Sequence, residues 1–176
     1  MLTNLTKERI LEIKRITENL VSKSLSQIAK EKNISVIYWD LSNVSWWLSW
    51  AITKGWDWSY SIYINSLEPE KRQRFTLAHE LWHFYLHKDK LDSDEVIADK
   101  KWQSYLYRLE EYNNLNDEQI QMEMEANEFA WSLLMPEEKF LELKWKFTIP
   151  QLSQIFNVSE TAIWVRLYNL TEREYE

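Results

Sequence analysis

EPEKRQRFTLAHELWHFYLHK, residues 68 to 88, is the stretch on which the reading of this chain turns. Pro69 suits the first turn of a helix, and Glu68 and Glu70 complement the positive end of a helix dipole. No breaker follows until about Lys88, so the segment predicts a helix of about five turns. Within it stands His79-Glu80-Leu81-Trp82-His83. Positions four apart on a helix lie about 40° apart in azimuth and one turn up, so both imidazoles can converge on a single tetrahedral Zn²⁺. Glu80 takes the adjoining flank, where it can reach a metal-bound water without ligating the metal. The competing reading buries both imidazoles as ordinary polar residues on a core face with Phe75, Trp82 and Leu86. It leaves the glutamate between them without a role.

A catalytic zinc needs a third protein ligand and an open fourth position. The chain has three histidines and no cysteine. His87 is two turns beyond His79, about 12 Å along an unbroken helix, too far to share its metal; it is expected as a polar residue at the helix end. The third ligand is therefore a carboxylate, and DEQIQMEMEANEFAWSLLM (117–135) offers Glu123, Glu125 and Glu128. Spacing alone does not choose among them.

Outward from these two segments, residues 7 to 31 read as a helix through Ile10, Ile13, Leu20, Leu25 and Ile28. NISVIYWDL (33–41) reads as a strand, and SYSIYIN (59–65) as another, with Tyr60, Ile62 and Ile64 on one face. NVSWWLSWAITKGWDW (43–58) between them reads as a loop or irregular hairpin. Residues 88 to 117 are polar and mixed and predict no definite element. Asn116 or Asp117 can cap the helix over 117–135, which Pro136 ends, and a short helix follows to about Lys144. IPQLSQIFNVSETAIWVRLYNL (149–170) reads helix, tight turn, helix, with Pro150 opening the first and Ser159 capping the second. The expected fold is α+β, mainly helical with a small β-sheet. One domain is expected over 1–147, with a helix-turn-helix-like segment, 148–176, packed on it.

Composition narrows the function classes. Hydrophobic residues are 45% and aromatics 15%, enough for a substantial core. The longest apolar stretch, around Val44 to Ile52, falls far short of the ~20 residues that span a bilayer, and the charged N-terminus does not read as a secretory signal. Without cysteine there are no disulfides, and a cytoplasmic protein is expected. The net charge of −7 argues against a chain built to hold nucleic acid. From Ile149 onward the only basic residues are Arg166 and Arg173, against Glu160, Glu172, Glu174 and Glu176. Such a recognition helix would meet phosphates poorly, so the tail is expected to be structural or partner-docking.

INSLEPEKRQRFTLAHELWHFYLH (64–87), followed by EANEFAWSLLMP (125–136), strongly resembles the ImmA/IrrE family of metallopeptidases. VSETAIWVRLYNL (158–170) resembles that family's C-terminal segment, and the resemblance covers roughly residues 25 to 170. It implies a zincin-like fold, Zn²⁺ held by His79, His83 and Glu125, and Glu80 as catalytic base. It further implies an endopeptidase that acts on a protein substrate, a helix-turn-helix repressor of mobile elements, toxin–antitoxin loci or stress responses. A non-catalytic repressor-binding protein and a DNA-binding regulator are the competing functions; the intact Glu80 favours catalysis. In the catalytic reading SYSIYIN could lie beside the active helix and pair with an extended substrate, and Tyr63 and Tyr85 are oxyanion candidates by residue type alone.

The chain departs from that family at position 82, where glycine is usual and Trp stands. Trp56, Trp58 and Trp164 also occupy positions that suit glycine, and Trp46, Trp50, Trp131 and Trp145 are of similar kind. The chain holds one glycine and 11 tryptophans; an average chain of this length would carry about 12 glycines. The expectation is that many of these codons are UGA, read as glycine in the source lineage. Mass spectrometry of native peptides should then show glycine at 56, 58, 82 and 164; native peptides with Trp there would refute it.

Overall fold

The structure, a computed structural model, describes residues 5–43, 50–54, 59–91, 96–98 and 117–174. Helix α1 (Lys7–Glu18) opens at Thr6, whose hydroxyl accepts from the Arg9 backbone N–H. The single helix expected over 7–31 is in fact two. The chain turns after Glu18, and Ser24 starts α2 (Leu25–Glu31) by a reciprocal capping box with Gln27. Ser-x-x-Gln inside an apolar-periodic stretch is a start signal that overrides the continuing period.

Asn33, in the left-handed region at φ 58°, releases the chain into β1 (Ile34–Trp39). A 3₁₀ turn at Leu41–Asn43 follows, then β2 (Trp50–Lys54) and β3 (Tyr60–Asn65). With β4 (Val96–Ala98) they form a mixed sheet in the order β1-β3-β2-β4. β1 runs parallel to β3, while β2 is antiparallel to both β3 and β4. β3 is a strand as expected, burying Tyr60, Ile62 and Ile64. β2 falls inside the stretch read as loop or irregular hairpin. Trp50 and Ile52 alternate into the core there, a period-2 signal hidden by the surrounding tryptophans. The sheet order also corrects the substrate-pairing expectation. β3 is hydrogen-bonded on both sides, to β1 and β2, and has no edge to offer a peptide.

Helix α3 (Glu70–Leu91) carries the histidine motif and packs on β3, α2 and α4 (Asp117–Leu134). α1 covers another side of α4. Pro136 ends α4 as expected, and α5 (Glu137–Leu143), α6 (Ile149–Phe156) and α7 (Glu160–Glu174) follow. Ser159 caps α7, accepting from Ala162 N–H, and Asn157, at φ 50°, makes the turn between α6 and α7. Residues 99–116, Trp46, Trp56 and Trp58 lie outside the described residues. The whole is α+β, mainly helical with a small mixed sheet.

The two C-terminal helices share one contiguous core with the rest, through Leu152, Phe156, Ile163 and Leu170. Polar contacts fix them in place. Lys71 of α3 donates to Ser153 Oγ at 2.7 Å, and Arg74 donates to the Phe156 and Asn157 carbonyls at the end of α6. Arg166 of α7 is fully buried and donates to Glu128 Oε1 at 3.1 Å, which also accepts from Ser132 Oγ. One of the tail's two basic residues is thus committed to the interior.

Trp82 is fully buried and stacks on Phe129, with ring centroids 4.8 Å apart. Its indole N–H has no hydrogen-bond partner among the described residues, a cost of about 1–3 kcal/mol. Trp145 and Trp164 are 86% and 61% exposed, and Trp145 stands just past the end of α5, where glycine is common.

Removing one member of a buried ion pair strands the other, so Glu128→Ala should destabilise the protein by about 3–5 kcal/mol in urea titration. Replacing Glu128 and Arg166 together by Met should recover most of that loss. A cost under about 1 kcal/mol for Glu128→Ala would show that the pair does not hold α7.

Candidate metal centre

α3 and α4 meet along a face that a purely apolar interface would fill with aliphatic side chains. Here the face holds His79 and His83, one turn apart, both buried, with ring centroids 4.8 Å apart and planes at 64°. Their Nε2 atoms are 3.0 Å apart. Glu123 reaches across from α4, placing Oε2 at 3.3 Å from His79 Nε2 and Oε1 at 3.3 Å from His83 Nε2. These three side chains offer donor atoms within 4.8 Å of one another.

Two imidazole nitrogens and a carboxylate converging on one point repel unless a proton or a metal ion lies between them. Ligands at about 2.05 Å around a tetrahedral ion are about 3.3 Å from one another. The separations seen here are close to that edge, and two imidazoles with one carboxylate make a donor set that zinc accepts. The residues fit a metal ion. Glu123 is the most open of the three, its side chain 34% exposed against 1% for His79, so the carboxylate forms the solvent-facing side of the cluster. Burial alone would raise the Glu123 carboxyl, but hydrogen bonds and charge from His79 and His83 outweigh it and hold the group well below the usual carboxylate range.

Asn127 of α4 completes the arrangement from behind. Its Oδ1 lies 3.2 Å from His79 Nδ1. An amide oxygen can only accept, so Nδ1 donates to it, and with a metal bound Nε2 would present its lone pair to the centre. Glu80, fully buried, has Oε1 4.0 Å from His79 Nε2, beside the point where the three donors meet.

Sequence reading expected His79, Glu80, His83 and Glu125 to meet. The structure brings His79, His83 and Glu80 together, and the carboxylate that joins them is Glu123. Glu125 lies elsewhere, paired with Arg9 Nη2 of α1 at 2.6 Å and accepting from Gln121 Nε2 at 3.2 Å. The helical period explains the difference. Glu123 and Asn127 are four apart and share the face toward α3, whereas Glu125 sits about 200° from Glu123. The signal was present in the sequence: Asn127, placed four residues after Glu123, marks the face that looks at the imidazoles. Tyr63 packs near Trp39, and Tyr85 lies near Phe129 with the Lys32 ammonium 4.1 Å from its ring. The side chain of His87 lies outside those described.

Comparisons with known proteins identify the family. A family model described as the IrrE N-terminal-like domain, of the peptidase M78 group, matches residues 29–168. The radiation response metalloprotease IrrE of Deinococcus radiodurans is 33% identical over 114 residues, 64% of this chain and 31% of that protein. Its namesake from Deinococcus deserti is 35% identical over 117 residues, 64% of this chain and 36% of that protein. The chain thus spans about a third of the curated relatives it matches. A solved structure titled Mycobacterium tuberculosis transcriptional regulator superposes with a TM-score of 0.58 at 16% identity, covering 93% of this chain and 47% of that one, which speaks to fold alone. With the matched segment running from α2 into α7 and enclosing the whole cluster of His79, His83 and Glu123, the chain belongs to the ImmA/IrrE family of metallopeptidases.

Proposed function

We propose that the chain is a zinc-dependent endopeptidase in which His79, His83 and Glu123 hold the metal and Glu80 is the general base. The observation that carries this reading is the convergence of two imidazoles and one carboxylate with a second carboxylate beside them. Bound there, Zn²⁺ would lower the pKa of a water toward neutrality and polarise the scissile carbonyl. Glu80 takes the proton of the attacking water on its carboxylate and returns it to the departing amine. Asn127 keeps His79 in the tautomer that presents Nε2. Glu123 forms the solvent-facing wall past which the substrate enters.

The substrate class we propose is a protein, specifically a helix-turn-helix repressor, as the family resemblance implies. We place the enzyme in the cytoplasm: the sequence has no cysteine, and no helix among the described residues is long and apolar enough to cross a membrane. We take 1–147 as the catalytic unit and 148–176 as a helical segment packed on it. The alternative of a repressor-binding protein without catalysis has no use for Glu80. Direct DNA binding is disfavoured by the committed Arg166, buried against Glu128.

Glu80→Gln tests the reading. Glutamine keeps the size of the side chain but accepts no proton at neutral pH. The variant should retain about one zinc per chain and bind substrate as before, while turnover falls about 10²–10⁴-fold. The assay follows cleavage and binding of the repressor encoded nearby, for both proteins. Undiminished cleavage by the variant would remove Glu80 from the mechanism. Zinc-loaded wild type that binds a repressor and cuts none would favour the binder.

A further inference from the structure

We propose that Arg9, on a helix that precedes the segment matched by the family model, is a positioning residue for the metal centre. It acts through Glu125, and the proposal rests on the reading of His79, His83 and Glu123 as the metal ligands.

Four observations meet at this residue. Arg9 Nη2 donates to Glu125 Oε2 at 2.6 Å. Glu125 is 6% exposed and the Arg9 side chain 23% exposed, so the pair is partly shielded from water and holds its geometry more firmly than a fully exposed pair would. Arg9 Nη1 is fixed in turn by Glu12 on its own helix, also at 2.6 Å. The guanidinium carbon lies 5.5 Å from the centre of the Trp82 ring, the residue immediately before His83. One side chain of α1 therefore touches both motif helices at once.

The mechanics follow from the helical period. Glu123 and Glu125 lie on opposite sides of α4, about 200° apart. A helix held at 125 from one side cannot roll without carrying 123 away from the imidazoles on the other. A glutamate oxygen stands about 6 Å from its helix axis, so a roll of about 10° moves it about 1 Å. That is the tolerance within which a coordination site works. The hydrogen bond between His79 Nδ1 and Asn127 Oδ1 lies on the Glu123 face and would loosen with the same roll, whereas Gln121, on α4 itself, donates to Glu125 and turns with it. Arg9 thus sets the rotation of α4, and Glu125 is the handle through which it does so. Met in place of Arg9 keeps most of the packing of the stem but loses the fork that grips the carboxylate.

The test measures zinc affinity of the metal-free full chain by chelator competition, together with the absorption bands of bound Co²⁺. Arg9→Met should weaken zinc binding about 10- to 100-fold and alter the Co²⁺ bands. Arg9→Lys, which keeps the charge, should recover part of the affinity. Lys14→Met removes a different ion pair of the same helix, with Glu137, and should leave both readouts within about 2-fold. If Arg9→Met fails to fold, the isosteric Glu125→Gln carries the test and should shift affinity and bands in the same direction. Wild-type affinity and an unchanged Co²⁺ spectrum in the folded variant would overturn the positioning role. So would an equal loss in Lys14→Met, which would mark general destabilisation. Wild-type protein that binds no zinc would instead overturn the metal-site reading itself.

Discussion

α4 packs between α3 and α1 and is bonded to α7 through Arg166, and on the faces so covered it can keep polar side chains only where each meets a partner. The run Glu123-Met124-Glu125-Ala126-Asn127-Glu128 satisfies that constraint residue by residue. Glu123 faces the two imidazoles, Glu125 faces Arg9, Asn127 orients His79, and Glu128 neutralises Arg166. Ala126, Phe129 and Ala130 fill the spaces between them and are fully buried. Each of these contacts accepts one rotation of α4, and the geometry at the candidate metal centre follows from that rotation.

This arrangement links chemistry to stability in an uncommon way. An isolated buried ion pair adds little net stability, because desolvation offsets most of its Coulomb gain. Several pairs that each accept only one rotation of the same helix add specificity instead, since any other packing would strand buried charges. The C-terminal helices take part in this through Arg166, and through Lys71 and Arg74, which tie α3 to the turn between α6 and α7. The C-terminal helices thus direct these polar contacts to α3 and α4. What it presents outward includes Trp164 and Tyr168 on one side of α7, a face poor in positive charge.

Much of this was legible in the sequence, and the exceptions have physical causes. Helix period, proline and cap residues were enough to place α3, α4 and the C-terminal pair, because those segments are long and bounded by strong breakers. The split between α1 and α2 was missed because a capping box at Ser24 interrupts an apolar period that otherwise continues. β2 was missed because its alternation is embedded in tryptophans. The histidine pair declared itself through spacing on a single helix. The carboxylate that joins them did not, because which of three glutamates faces a neighbouring helix depends on rotation, a tertiary property seen in the contacts of Glu125 with Arg9, Asn127 with His79 and Glu128 with Arg166. Trp82 remains the residue least at ease with its surroundings, buried against Phe129 with its N–H lacking a partner among the described residues.

The central claim is that α4 is rotated so that Glu123, and not Glu125, closes the metal centre. Anomalous diffraction from zinc-loaded crystals at the zinc edge tests it most directly. One peak per chain is expected at about 2.0–2.2 Å from His79 Nε2, His83 Nε2 and a Glu123 carboxylate oxygen, with Glu125 still paired to Arg9. A peak bonded to Glu125, with Glu123 turned away into solvent, would contradict it.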